Sequence, residues 1–159
     1  MYDVQIARGA DINNKIFDYL KPRIFGKWLD VGCNIGTLLS EVPNGIGIDY
    51  SQQMVDIARY KGLPVSCGDA TKLPYEDKQF DVVVMSCTLE QIKDWETALK
   101  EAIRVGHRVI GINPIPGSEW GQLGGWVQSI IDPGLLRESY RAQIVYPYIT
   151  GKYYFEIIT

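Results

Sequence analysis

The run Asp81-Val82-Val83-Val84-Met85 limits the fold more than any other stretch of this chain. It is nearly continuous, apolar and β-branched, which is the pattern of a strand covered on both faces rather than on one. A strand of that kind needs a layer of helices on each side, and the neighbouring segments supply them. Lys27-Trp28-Leu29-Asp30-Val31 reads as a short buried strand that runs into a glycine-bearing turn, and Ile35 to Val42 reads as the helix after it. Gly45-Ile46-Gly47-Ile48-Asp49 is a second strand. Ser51 then caps a helix with Met54, Val55 and Ala58 on one face, closed by Gly62. Leu63 to Ser66 is a weaker third strand, Asp94 to Val105 a helix ended by Gly106, and Arg108 to Asn113 a fifth strand.

Strands that alternate with helices make a parallel sheet joined by crossovers, so the expected class is α/β, doubly wound and mostly parallel. Three parts are expected within one domain over 1–159: an N-terminal helix within 1–25, a core over 27–113, and a divergent tail over 114–159. Helical spacing of Ile12, Ile16, Phe17 and Leu20, between Asp11 as cap and Pro22 as stop, supports the first. The tail is harder to read. Glu119 to Ile131 and Leu135 to Val145 both have helical character, and Tyr153 to Ile158 is the one convincing strand. The sheet is therefore expected to be shortened at its C-terminal side, with a missing edge supplied by self-association or a partner.

Sixteen basic and nineteen acidic residues leave a net charge of -3. No basic field exists for a nucleic-acid backbone, so nucleic-acid binding is not expected. Met1 to Gln5 lacks the pattern of a secretory signal, and no apolar run is long enough to span a membrane, which makes a cytoplasmic location the expectation. Cys33, Cys67 and Cys87 are far apart, without a Cys-x-x-Cys pair, so they are expected to be buried thiols and no metal site is expected.

In an open parallel sheet, ligands sit outside the carboxyl ends of the strands. The turn there is Asp30-Val31-Gly32-Cys33-Asn34-Ile35-Gly36-Thr37. It lacks two of the three glycines of a dinucleotide fingerprint, and it has no phosphate-loop ending. Asp49 closes the second strand, where a carboxylate accepts ribose hydroxyls.

These features, together with Gly68-Asp69-Ala70, Leu73-Pro74 and Phe80-Asp81-Val82-Val83, resemble the motifs of Rossmann-like class I S-adenosylmethionine-dependent methyltransferases of the methyltransferase type 11 kind. The usual turn there is Asp/Glu-x-Gly-x-Gly-x-Gly, and Asn34 replaces the middle glycine, a residue type that tolerates positive φ. The resemblance implies S-adenosyl-L-methionine as cofactor and S-adenosyl-L-homocysteine as product. It implies a cofactor site made by Asp30, Gly32, Asn34 and Gly36 in the turn, Asp49 and Tyr50 after the second strand, Asp69 and Ala70 after the third, and Ser86 after the fourth. Asp69 would accept from the adenine amino group, and Ala70 would offer its N–H to the ring.

From Phe80 onward the chain is similar to a narrower group, the MetW-type proteins of methionine biosynthesis. Ser86 to Gln91, Arg104 to Ile110 and Asn113 to Trp120 carry the likeness. It implies a second reading, a catalytically silent partner of a homoserine O-acyltransferase, beside the first reading of a methyltransferase acting on a small molecule.

Catalytic candidates are few. His107 begins a strand, at the wrong end of the sheet. Glu90 and Gln91 are better placed; Glu90 would serve as a base if buried, but it is expected to be an exposed residue at a helix start. Cys87 has no basic neighbour in the local sequence to activate it. Trp120, Trp126, Tyr140, Tyr146, Tyr148, Tyr153 and Tyr154 are candidates either for an acceptor pocket or for packing.

Overall fold

The protein is described here from a computed structural model, in which residues 14–117, 129, 131–147 and 151–159 are described. Asp11 and most of the expected Glu119–Ile131 helix, including Trp120 and Trp126, lie outside those residues, as does Tyr148.

Helix α1 covers 14–20 and passes into a 3-10 turn, Lys21–Arg23, which carries Pro22. Then follow β1 (Trp28–Val31), α2 (Thr37–Glu41), β2 (Gly45–Asp49), α3 (Gln52–Tyr60), β3 (Val65–Cys67) and β4 (Val82–Ser86). A 3-10 turn, Leu89–Gln91, leads to α4 (Trp95–Val105), β5 (Arg108–Pro114), α5 (Pro133–Tyr140), β6 (Gln143–Val145) and β7 (Lys152–Ile158). The seven strands form one sheet in the order β3-β2-β1-β4-β5-β7-β6. The first five pair in parallel, and β7 runs antiparallel to both β5 and β6.

The cap expected at Ser51 is formed, and Asp94, read as the first residue of its helix, also acts as a cap. Ser51 Oγ accepts from the Met54 N–H at 3.5 Å, and Asp94 Oδ1 accepts from the Thr97 N–H at 3.3 Å. Each satisfies one of the N–H groups that a helix start leaves unpaired. Residues 82–85 of β4 are all buried, because alternate side chains enter different cores. Val83 and Met85 pack with Leu29, Leu99 and Phe155 on one face, while Val82 and Val84 pack with Trp28, Leu20 and Ile110 on the other.

The tail differs from expectation. The segment read as a helix over Leu135–Val145 is a helix only to Tyr140. Arg141 takes a left-handed backbone conformation (φ 54) that ends it, and Gln143–Val145 then pairs with β7. Asp132 caps α5 by accepting from the N–H groups of Gly134 and Leu135. The sheet is thus not shortened: β7 pairs with β5 over its whole length, from Arg108↔Ile158 to Pro114↔Lys152, and β6 lies beyond it. No described helix is long and apolar enough to cross a membrane.

Candidate active site

Strand order reverses between β1 and β4, since β1 leads to β2 on one side and β4 to β5 on the other. The crevice outside the carboxyl ends of the strands opens at such a point, and the glycine turn lies there. Its conformation explains its composition: Gly32, Asn34 and Gly36 all have positive φ, at 76, 51 and 75°. Asn34 therefore stands in a left-handed position that a middle glycine would fill, and its own Oδ1 accepts from the Ile35 N–H at 2.7 Å. The N–H groups of Gly32 and Cys33 both donate to the Ile48 carbonyl, tying the turn to β2. Thr88 closes it from the other side. Its hydroxyl donates to the Val31 carbonyl at 3.0 Å, and a Cβ built on Gly32 would lie 2.5 Å from that hydroxyl.

Asp49 sits beside the turn, half-buried. Its Oδ2 accepts from the Asn34 N–H at 2.7 Å and its Oδ1 from the Ser51 N–H at 2.8 Å. A carboxylate has about four lone-pair positions, so one on each oxygen remains for a diol. Asp69 is exposed after β3, with Oδ1 accepting from both the N–H and the hydroxyl of Thr71. Ala70 packs on the core next to it, Tyr50 is 80% exposed, and half-buried Ser86 ends β4. The loop after Asp69 is anchored from α4. Arg104 donates to the carbonyls of Leu73 and Tyr75 and to Asp77, while Glu101 accepts from the Leu73 N–H.

Asp30 lies beneath the turn and is almost wholly buried; burial first, and then the nearby Asp49 charge, raise its pKa from the ordinary 3.8 to about 7. Cys33 is buried as well, and burial pushes its thiol up to about 12. Cys67 is exposed instead, its thiol turned to the Tyr50 carbonyl, because β3 lies at the edge of the sheet.

One expectation beside the fourth strand is corrected. Glu90 is not exposed. It is 5% accessible in the 3-10 turn after β4, and burial raises its pKa from 4.5 to about 7, with Lys152 pulling the other way. Cys87 has no basic neighbour in its local sequence, but Lys152 Nζ, arriving from β7, donates to its Sγ at 3.5 Å. Burial still dominates and holds the Cys87 thiol at about 11. Gln91 is exposed, its amide donating to the Cys87 carbonyl. His107 is exposed at the amino end of β5, away from the site. Tyr153 and Tyr154 are buried on opposite faces of the sheet, Tyr140 is half-buried and Tyr146 is exposed.

Comparison with known proteins agrees with this geometry. Residues 29–108 match a family described as a methyltransferase domain. A demethylmenaquinone methyltransferase of Streptomyces avermitilis is 37% identical over 134 residues, covering 69% of this chain and 57% of that protein. One from Lactobacillus johnsonii is 34% identical over 106 residues, covering 57% of this chain and 43% of that protein. The chain thus spans about half the length of these curated relatives. Among solved structures, a SAM-dependent methyltransferase of Thermotoga maritima superposes with a TM-score of 0.76 at 19% identity, covering 99% of this chain and 96% of that one. These relatives do not single out the MetW-type group, and the expected shortening of the sheet is not found among the described residues. With the sheet order, the glycine turn and the family match over half its length in agreement, the chain belongs to the methyltransferase domain family.

Proposed function

We propose that the protein binds S-adenosyl-L-methionine at the carboxyl ends of β1 to β3 and transfers its methyl group to a small-molecule acceptor. The observation that carries this reading is the joining of Asp49 to the glycine turn through the Asn34 N–H, with lone pairs left on both carboxylate oxygens. The donor set fits this cofactor. Asp30, Asp49 and Asp69 bring carboxylates to one end of the sheet, which attracts a sulfonium with an α-ammonium group and repels a pyrophosphate. Asp49 would hold the ribose diol, Asp69 the adenine amine, and the turn the amino-acid portion. The bound cofactor supplies an activated methyl carbon, and the protein supplies alignment and exclusion of water.

Calorimetric titration with S-adenosylhomocysteine tests this reading. The expected result is micromolar binding that falls about 100-fold in Asp49→Ala, the loss of about 3 kcal/mol for two hydrogen bonds to a charged acceptor. Asp49→Asn keeps the size of the side chain and one oxygen, and should lose less. No heat with the wild-type protein would overturn the reading.

A further inference from the structure

Among the described residues, the parallel crossovers from β1 to β2, β2 to β3 and β4 to β5 each carry a helix, whereas that from β3 to β4 carries none. Residues 68–81 cross as a loop, and a loop must find partners for its own N–H and C=O groups. Arg104 on α4 supplies several of them. A guanidinium has five N–H donors, and five acceptors meet this one: the Leu73 and Tyr75 carbonyls, Asp77 Oδ1 and both carboxylate oxygens of Glu101, all between 2.7 and 3.0 Å. Glu101 returns a bond to the loop by accepting from the Leu73 N–H at 2.8 Å, and the Arg104 carbonyl accepts from the Lys78 N–H at 2.9 Å. Hydrogen bonds from Arg104 hold Glu101 below the ordinary carboxylate range, so the pair stays charged at neutral pH.

The platform under this clamp is fixed as well. Ala98, Leu99, Ala102 and Val105, the inner face of α4, are fully buried, and Leu73 enters the same core. At the other end of the segment the Gly68 N–H donates to the Asp49 carbonyl at 2.9 Å. Asp69 and Ala70 thus lie between two anchors, and Asp69 bonds to Thr71 and Lys72 within the same turn. We propose that Arg104, together with Glu101, is a positioning residue that sets the base selectivity of the cofactor site, by fixing residues 69–73 so that they accept adenine and reject a purine with a carbonyl in place of the amine. This rests on the methyltransferase reading above. Adenine offers its amine as a donor to Asp69 and the adjoining ring nitrogen as an acceptor to the Ala70 N–H. Hypoxanthine reverses both, so a loop held in place meets it like against like. A loop free to shift can pair with hypoxanthine in a new register, and discrimination falls while the ribose and amino-acid portions still bind. Lysine at this position would keep the charge, but with three donors and no planar fork it cannot bridge the same acceptors.

Calorimetric titration with S-adenosylhomocysteine and with S-inosylhomocysteine, its hypoxanthine counterpart, tests the inference. The wild type should prefer S-adenosylhomocysteine by about 30-fold, the effect of one hydrogen bond to a charged acceptor. In Arg104→Lys that ratio should fall to about threefold, chiefly through weaker binding of S-adenosylhomocysteine. Glu101→Gln keeps an acceptor for the Leu73 N–H, and its ratio should fall less, to about tenfold. A merely structural role for Arg104 would weaken both ligands alike, so an unchanged ratio in the two variants refutes the inference. Should Arg104→Lys not fold, Glu101→Gln decides by the same ratio. A wild type that binds the two ligands equally also refutes it, while the methyltransferase reading stands. If the wild type does not bind S-adenosylhomocysteine at all, that reading fails and the inference with it.

Discussion

Gly32→Ala is expected to abolish S-adenosylhomocysteine binding and to lower stability by about 2–5 kcal/mol, the largest single effect in the glycine turn. Two costs combine. Alanine at φ 76 loses about 1–2 kcal/mol in the left-handed region. Its Cβ would also stand 2.5 Å from Thr88 Oγ1 and 2.6 Å from Thr88 Cγ2, so the turns after β1 and β4 must separate. Separation breaks the Thr88 bond to the Val31 carbonyl and widens the crevice where the cofactor is proposed to lie. Thermal unfolding with and without ligand is the check. The wild type should gain a ligand-dependent rise in Tm, and the variant should show a lower Tm by roughly 10 °C and no rise. A variant that keeps the rise would mean that the turn does not touch the ligand.

Asp30→Asn should act in the opposite direction on stability. The folded state raises this carboxyl from 3.8 to about 7, so it holds a proton more tightly than the unfolded chain does. The stability this provides is complete below about pH 4 and is lost as pH rises through about 7. Asparagine imitates the neutral acid at every pH. The variant should therefore match the wild type near pH 4 and exceed it by ~4 kcal/mol near pH 8, as read by urea unfolding. Glu90 has the same sign of shift and leaves a smaller slope of its own. The gain should come with weaker cofactor binding, since the charge facing a bound cation is gone; such trade-offs are common at binding sites. A variant less stable at both pH values would mean that Asp30 is an ionised, well-satisfied group.

The part of the molecule that can be read from sequence is the part where local pattern and tertiary burial coincide. β1, β2, β4 and β5 are apolar runs bounded by turn residues, and Ser51 and Asp94 are caps formed within four residues of their partners. The turn and its carboxylates were legible for the same reason, as a strand end and a helix start are local events. β6 is different: three residues with an exposed–intermediate–exposed pattern become a strand only because β7 offers an edge. The burial of Glu90 is likewise made by Asn113 and Ser129, which are distant in the chain. Lys152 reads as an ordinary lysine before a strand, and only the antiparallel register with Pro114 carries it to Cys87.

The placing of β7 between β5 and β6 also sets an order of assembly during synthesis. The proposed cofactor carboxylates lie on segments complete by residue 69, and β1 to β5 can pair as they emerge from the ribosome. Until residues 152–158 arrive, β5 keeps an open apolar edge and three-residue β6 has no strand beside it. Such an edge invites pairing with other chains. A nascent chain halted before β7 would therefore be exposed to aggregation while it still lacked Lys152, so the strand that seals the sheet is also the one that delivers the buried ammonium.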